Sequence, residues 1–167
     1  MSVILDCDIA STFAKIDRID LLKKIFPKSD ICITNSVYTE VLHAKRIGFS
    51  FPDKIFDTVK QIALLEAEIE YFQRFSQDNR IHAGEAEGVT IAKMRDAVFL
   101  TNDSLVVRFC EENEIKVLDL KDVLNLMGEK GVVTRKEMLD ILRDIEVKDY
   151  TIIKGKEETL EIFDVDR

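Results

Sequence analysis

Carboxylates recur in this chain at places where a side chain can do more than solvate the surface. Asp6 and Asp8 follow the apolar run Val3-Ile4-Leu5 at once. Glu40 lies about one turn into the helical pattern after Asp30–Ile33. Glu85 and Glu87 open the segment Gly84-Glu85-Ala86-Glu87-Gly88-Val89-Thr90-Ile91-Ala92, and Asp103 ends Ala97-Val98-Phe99-Leu100-Thr101-Asn102-Asp103. Each has a plain structural reading taken singly: Asp6, Asp8 and Asp103 as helix N-caps, Glu40 as a surface or ion-paired residue, Glu85 and Glu87 as partners of a helix dipole. Gathered in one place they would do chemistry. Clustered carboxylates repel and raise one another's pKa, and a divalent cation relieves that repulsion. Oxygen donors without His or Cys favour Mg²⁺ or Mn²⁺ over zinc. Asp119, after Lys116–Leu118, reads as a cap only.

The elements that must position these acids are legible from periodicity. Ser2–Leu5, Asp30–Ile33, Ala97–Leu100 and Lys116–Leu118 are short runs rich in Val, Ile, Leu and Phe, as expected of strands buried on both faces. Segments long enough for helical crossovers separate them, which indicates a parallel α/β sheet. In such sheets the carboxyl ends of the strands form the working edge, and that is where the acids fall. Lys54–Phe75 has helical spacing at Ile55, Val59, Ile62, Leu65, Ile69 and Phe72 and predicts one or two helices. Thr134–Val147 predicts an amphipathic helix with a Thr134/Glu137 capping box and a stripe of Met138, Ile141, Leu142 and Ile145. Thr151–Arg167 carries Ile152, Ile153, Leu160, Ile162 and Phe163, which suit packing on the domain or on a second copy.

The 167 residues suit a single α/β domain; 46% are hydrophobic and 34% charged, enough for a real core. A net charge of -8 argues against an indiscriminate polybasic coat for nucleic acid. It does not argue against a nuclease, whose acidic site bound cations would offset. Cys7, Cys32 and Cys110 have no framework spacing and read as reduced thiols; His43 and His82 sit in no recognisable motif. With no signal-peptide pattern and no apolar stretch near the ~20 residues of a membrane span, a cytoplasmic protein without a membrane partner is expected.

The acidic motifs together resemble those of PIN-domain proteins, the ribonuclease fold of VapC-type toxins and related nucleases. The resemblance rests on Val3–Asp6, Glu40, Gly84–Ala92 and Leu100-Thr101-Asn102-Asp103, and covers roughly residues 1–127; it leaves residues 128–167 as a C-terminal helical extension packed on the domain or on a partner subunit. It implies an α/β, three-layer fold with a central parallel sheet of about four to five strands flanked by helices. It also implies that Asp6, Glu40, Glu85 and Asp103 are the metal-binding and catalytic acids, with Asp8 and Glu87 as further candidates. Asp6 and Asp103 would touch the Mg²⁺ or Mn²⁺ directly, Glu40 and Glu85 directly or through water, while Thr101 or Ser104 orients a ligand. The implied reaction is RNA hydrolysis to 5′-phosphate and 3′-hydroxyl ends, with a small antitoxin protein as a partner. A homodimer is expected from the apolar middle segment and C-terminal stripe as well as from the resemblance.

The chain departs from the family pattern in two places. Asp8 stands where a Ser or Thr is common, and Ser104-Leu105-Val106 stands where a further acid often follows the fourth motif. Two other readings remain open: a catalytically weak PIN-like protein that binds nucleic acid or regulates, and a haloacid-dehalogenase-like phosphatase with Asp6-Cys7-Asp8 as its nucleophile motif. The second leaves Glu40 and Glu85 without a role.

Overall fold

The computed structural model describes residues Met1–Asp164; the last three residues of the predicted C-terminal tail lie outside the described residues. Five parallel strands form one sheet: β1 (Ser2–Leu5), β2 (Asp30–Thr34), β3 (Lys60–Ile62), β4 (Val98–Leu100) and β5 (Lys116–Leu118), in the order β3-β2-β1-β4-β5. The chain leaves β1 toward β2 and β3 on one side, then returns to place β4 and β5 on the other. The strand order therefore reverses between β1 and β4, and open α/β sheets form their ligand crevice at such a switch point.

The strands alternate between two cores, as the period of two requires. Val3, Leu5, Ile31, Ile33, Val98 and Leu100 point into one cluster; Ile4 and Phe99 point into the other. The first cluster is closed by α1 (Cys7–Lys15), α2 (Asp20–Ile25), α3 (Asn35–Arg46), α4 (Phe51–Thr58), α8 (Leu120–Glu129) and α9 (Arg135–Asp144). The second is closed by α5 (Ile69–Phe75), α6 (Ala83–Met94) and α7 (Ser104–Glu112), and α10 (Lys156–Glu161) follows near the C-terminus. Helices on both faces of a parallel sheet make the three-layer α/β arrangement.

The middle segment corrects the helical reading of Lys54–Phe75. It holds the end of α4, then the edge strand β3, a 3-10 turn at Glu66–Glu68 and only then α5. Strand β3 is three residues long, and its Lys60 and Gln61 are exposed. Nothing in its composition marks a buried strand, and Val59 and Ile62 mimic helical spacing. A bidentate pair, Arg95 Nε to Glu68 Oε1 (2.6 Å) and Arg95 Nη2 to Glu68 Oε2 (2.7 Å), ties this segment to the end of α6.

The C-terminal part shares the first core. Val133, Met138, Ile141, Leu142, Ile145 and Ile153 are all buried in the cluster that contains Val3 and Leu5. Thr134 and Glu137 make the capping box at the start of α9, with Glu137 N–H on Thr134 Oγ1 (3.2 Å) and Thr134 N–H on Glu137 Oε2 (2.7 Å). The chain then continues as a π turn, Ile145–Asp149. The carboxylate of Asp149 accepts from Lys15 Nζ, Thr12 Oγ1 and Thr151 Oγ1, each at 2.6 Å. That triple contact fastens the segment to α1, whose N-terminus carries Asp6.

Candidate active site

Strand register brings the first and fourth acidic motifs together. Leu5 pairs with Leu100, so the residues that follow, Asp6 and Thr101, emerge side by side at the switch point. Asp6 is the N-cap of α1, and its Oδ1 accepts from Cys7 N–H at 2.8 Å. Its Oδ2 accepts from the fully buried hydroxyl of Thr101 at 2.9 Å. The same Thr101 oxygen accepts from Asp103 N–H at 3.2 Å. One hydroxyl thus fixes both motifs relative to each other. Asp103 caps α7, its Oδ1 accepting from Leu105 N–H (2.7 Å) and Val106 N–H (3.3 Å).

The other acids arrive on helices. Glu85 lies in the first turn of α6 and reaches back to His82 N–H at 2.6 Å. Glu40 projects from α3. Gly84 makes room for it: a Cβ at position 84 would lie 2.9 Å from Glu40 Oε1. Helix α6 itself lies close on the sheet because Gly88 has no side chain; a Cβ there would stand 2.5 Å from the ring of Phe99. Asp6, Cys7, Asp8, Glu40, His82, Gly84, Glu85 and Asp103 line one open cleft of about 220 Å³.

The structure therefore brings Asp6, Asp8, Glu40, Glu85 and Asp103 to one cavity. Glu87 faces elsewhere: it is buried, and its Oε2 accepts from Ser36 N–H at 2.8 Å, holding the start of α3 against α6. Ser104 turns to a neighbouring cavity, whereas Thr101 donates to Asp6. Asp119 is a cap, with Asp122 N–H on its Oδ1 at 2.8 Å. His82 is the residue missed in the sequence. It reaches the cleft only because it immediately precedes α6, and no spacing rule marks it.

The electrostatics are those of crowded anions. Burial, with Glu40 and Asp103 nearby, raises the pKa of Asp6 although Cys7 N–H and Thr101 stabilise its charged form. Glu85 is raised as well, first by burial and then by Asp6 and Asp103. Asp8 is exposed as a residue, but its carboxylate is tucked against Ile9 N–H (2.6 Å) and Asn102 N–H (3.0 Å). Loss of water there and the charge of Asp6 push it up to about 7, an effect that solvent on its open side screens in part. Burial and the charge of Glu40 push the Cys7 thiol up to about 12, so it stays protonated and is no nucleophile.

This donor set fits a hard divalent cation in its chemistry: carboxylate oxygens converge on one cleft, and ionising them together is unfavourable. As the side chains stand, no three His, Cys, Asp or Glu among the described residues are close enough to grip one ion. Backbone N–H groups hold Asp6, Asp8, Glu85 and Asp103, but each of these carboxylates keeps at least one oxygen lone pair for a cation. Capping and ligation are thus compatible roles for the same residues.

Comparison with known proteins gives the family and the fold. The sequence model of the family DUF3368, described as a PIN domain, matches residues 2–154. The chain belongs to that PIN-domain family. Its fold is similar to a chain in the crystal structure of VapBC2 from Rickettsia felis bound to a DNA fragment from their promoter, with a TM-score of 0.59 and 13% identity over 71% of this chain and 98% of that one. It is also similar to a chain in the 2.2 Å structure of VapBC-1 from nontypeable Haemophilus influenzae, with a TM-score of 0.57, 14% identity and the same coverage. No curated protein matches the chain in sequence.

Proposed function

We propose that this protein is a metal-dependent endoribonuclease. The observation that carries the reading is the convergence of Asp6, Glu40, Glu85 and Asp103 on one cleft at the β1/β4 switch point. Asp6 and Asp103 would hold Mg²⁺ or Mn²⁺ directly, and Glu40 and Glu85 directly or through water. When bound, such an ion supplies Lewis acidity, a water of lowered pKa and charge to offset the leaving oxygen. The chain's own residues supply position. Thr101 aims Asp6 and tethers Asp103, the cap of α1 sets the angle of the Asp6 carboxylate, and Gly84 lets Glu40 lean into the cleft. Asp8 stands at the lip, where a carboxylate can accept a proton from an attacking water. Hydrolysis joins the water oxygen to phosphorus and breaks the P–O3′ bond, leaving 5′-phosphate and 3′-hydroxyl ends.

In the same reading the protein acts in the cytoplasm, which suits its three free cysteines, and is a homodimer with a small antitoxin as partner. No helix among the described residues is long and apolar enough to cross a membrane. Ile47 and Phe49, both more than half exposed at the α3–α4 turn, offer apolar surface for association. The alternative is a catalytically weak PIN-like protein that binds nucleic acid. It is favoured by the absence of an acid just after Asp103 and by the spread of the acids, no three of which among the described residues stand close enough to grip one ion.

The test is a mixed pool of single-stranded RNA incubated with purified protein and Mn²⁺, Mg²⁺ or chelator, with the product ends mapped. Cleavage that needs the cation and leaves 5′-phosphates is expected. Tight cation binding by calorimetry without any cleavage would instead favour the binding protein.

A further inference from the structure

A second cavity of about 350 Å³ adjoins the acidic cleft on the β5 side. Asn102, Ser104, Asp119, Leu120, Lys121 and the stretch Ile152–Lys154 line it. The loop Thr101–Ser104 is the wall between the two: Asp103 faces the cleft, while Asn102 and Ser104 face the second cavity. Asn102 N–H is also the donor that holds Asp8. A chain lying across the sheet edge with one phosphate in the cleft would pass its neighbouring nucleotides over this wall.

The far side of the cavity has the chemistry such a chain needs. From Tyr150 to Lys154 burial alternates. Ile153 is buried in the core and Thr151 is hydrogen-bonded to Asp149, while Tyr150, Ile152 and Lys154 turn outward. Tyr150 is 86% exposed and Ile152 83%. Tyr150 also takes a left-handed backbone, φ 58°, which a bulky residue rarely adopts. An aromatic ring, an aliphatic side chain and an ammonium thus follow one another along an anchored, solvent-facing segment. Lys154 makes no ion pair among the described residues, whereas Lys121 is paired with Glu158. Asp119, the anion in the lining, caps α8 through Oδ1 and lies near the Lys121 ammonium. Ile152, Ile153 and Lys154 line the cavity that shares the Asn102–Ser104 wall with the acidic cleft, and Tyr150 stands two residues before them on the same exposed segment.

We propose that this segment and cavity form a track for single-stranded RNA flanking the scissile phosphate. Tyr150 and Ile152 pack against bases, and Lys154 sits on the backbone. Base stacking on an exposed aromatic tolerates any sequence, so the track lengthens the bound substrate without reading its bases. The proposal rests on the nuclease reading for the direction of the strand, but the RNA contact can be measured separately.

The experiment uses the full chain, wild type and the Tyr150→Ala/Lys154→Glu double variant. Anisotropy of labelled single-stranded RNA in chelator reads binding alone; Mn²⁺-dependent cleavage of a long RNA and of a short oligonucleotide that fills only the cleft reads kcat and KM. Both side chains are exposed, so the thermal midpoint should not move. The double variant should bind the long RNA about tenfold more weakly, roughly one lost stacking contact and one lost phosphate contact. Its KM for the long RNA should rise by a similar factor, with kcat and the short substrate unaffected. Weaker binding by the variant when neither protein cleaves would sink the nuclease reading and keep the track. Unchanged binding and KM in an actively cleaving protein would remove the track. A change only in self-association by sedimentation would assign the surface to a protein partner and overturn the proposal.

Discussion

Two glycines of α6, four residues apart, separate chemistry from architecture. Gly84 faces the end of a flexible carboxylate, Glu40 Oε1, whereas Gly88 faces the ring of the buried Phe99. Gly84→Ala should fold normally, with stability changed by no more than about 0.5 kcal/mol, because Glu40 can swing aside. That swing moves a site carboxylate, so Mn²⁺-dependent cleavage should fall on the order of 10- to 100-fold. Gly88→Ala should instead cost about 1–3 kcal/mol through overpacking, with activity retained at temperatures where the variant stays folded. Thermal midpoints and initial rates on both variants check this; equal effects on stability would contradict it. Asp8 supplies a second test. Its pKa is about 7 in the fold against an ordinary 3.8, so between those values the folded state holds more protons than the unfolded state. Its contribution to stability is present at low pH and is lost as pH rises toward 7. In chelator, Asp8→Asn should therefore gain thermal stability over wild type at pH 8, and that advantage should shrink steadily as pH falls to 5. Parallel pH profiles of the two proteins would show that Asp8 is not strained.

Elements explain why some of this was legible in the sequence and some was not. Strands β1 and β5 begin and end where their apolar runs do, and β2 and β4 differ from theirs by one residue at an end; the three inner strands are apolar because they are covered on both faces, and edge strand β5 still carries Val117 and Leu118. Asp6, Asp8 and Asp103 were legible because they stand just after those runs, where register decides their neighbours, and Glu40 and Glu85 because they border apolar stripes of helices. Strand β3 was not, because an edge strand can be short and polar and still complete a sheet. Glu87 was ambiguous in the same way: in the buried middle of a helix an acid needs a partner, and sequence spacing does not reveal whether that partner is a cation or the N–H of Ser36. His82 reaches the cleft through the turn before α6, which periodicity does not describe. The contact between Asp149 and α1 carries a prediction at this scale. Asp149→Ala leaves Thr12 and Lys15 without their acceptor and should cost about 2–3 kcal/mol, since Lys15 remains partly solvated. Loss of under about 0.5 kcal/mol in denaturant titration would mean that the segment is held by Ile145 and Ile153 alone.

At the scale of the whole molecule, the sheet order creates the crevice between β1 and β4. Two helix caps and one buried threonine then orient the acids that emerge there, in a chain of the PIN-domain family. The central claim is that these acids bind a cation for hydrolysis as well as capping helices. Asp103→Asn tests it most directly, because Asn keeps the side-chain oxygen that caps α7 and loses the charge, and Asn caps about as well as Asp. Cleavage of single-stranded RNA and thermal midpoints with and without Mn²⁺ should be measured together on wild type and this variant. The account predicts that cleavage is abolished, that the stabilisation by Mn²⁺ seen in wild type shrinks or vanishes, and that the metal-free midpoint holds or rises as one repelling charge leaves the cluster. Full cleavage with the same Mn²⁺-induced stabilisation would contradict it, leaving Asp103 a helix cap and nothing more.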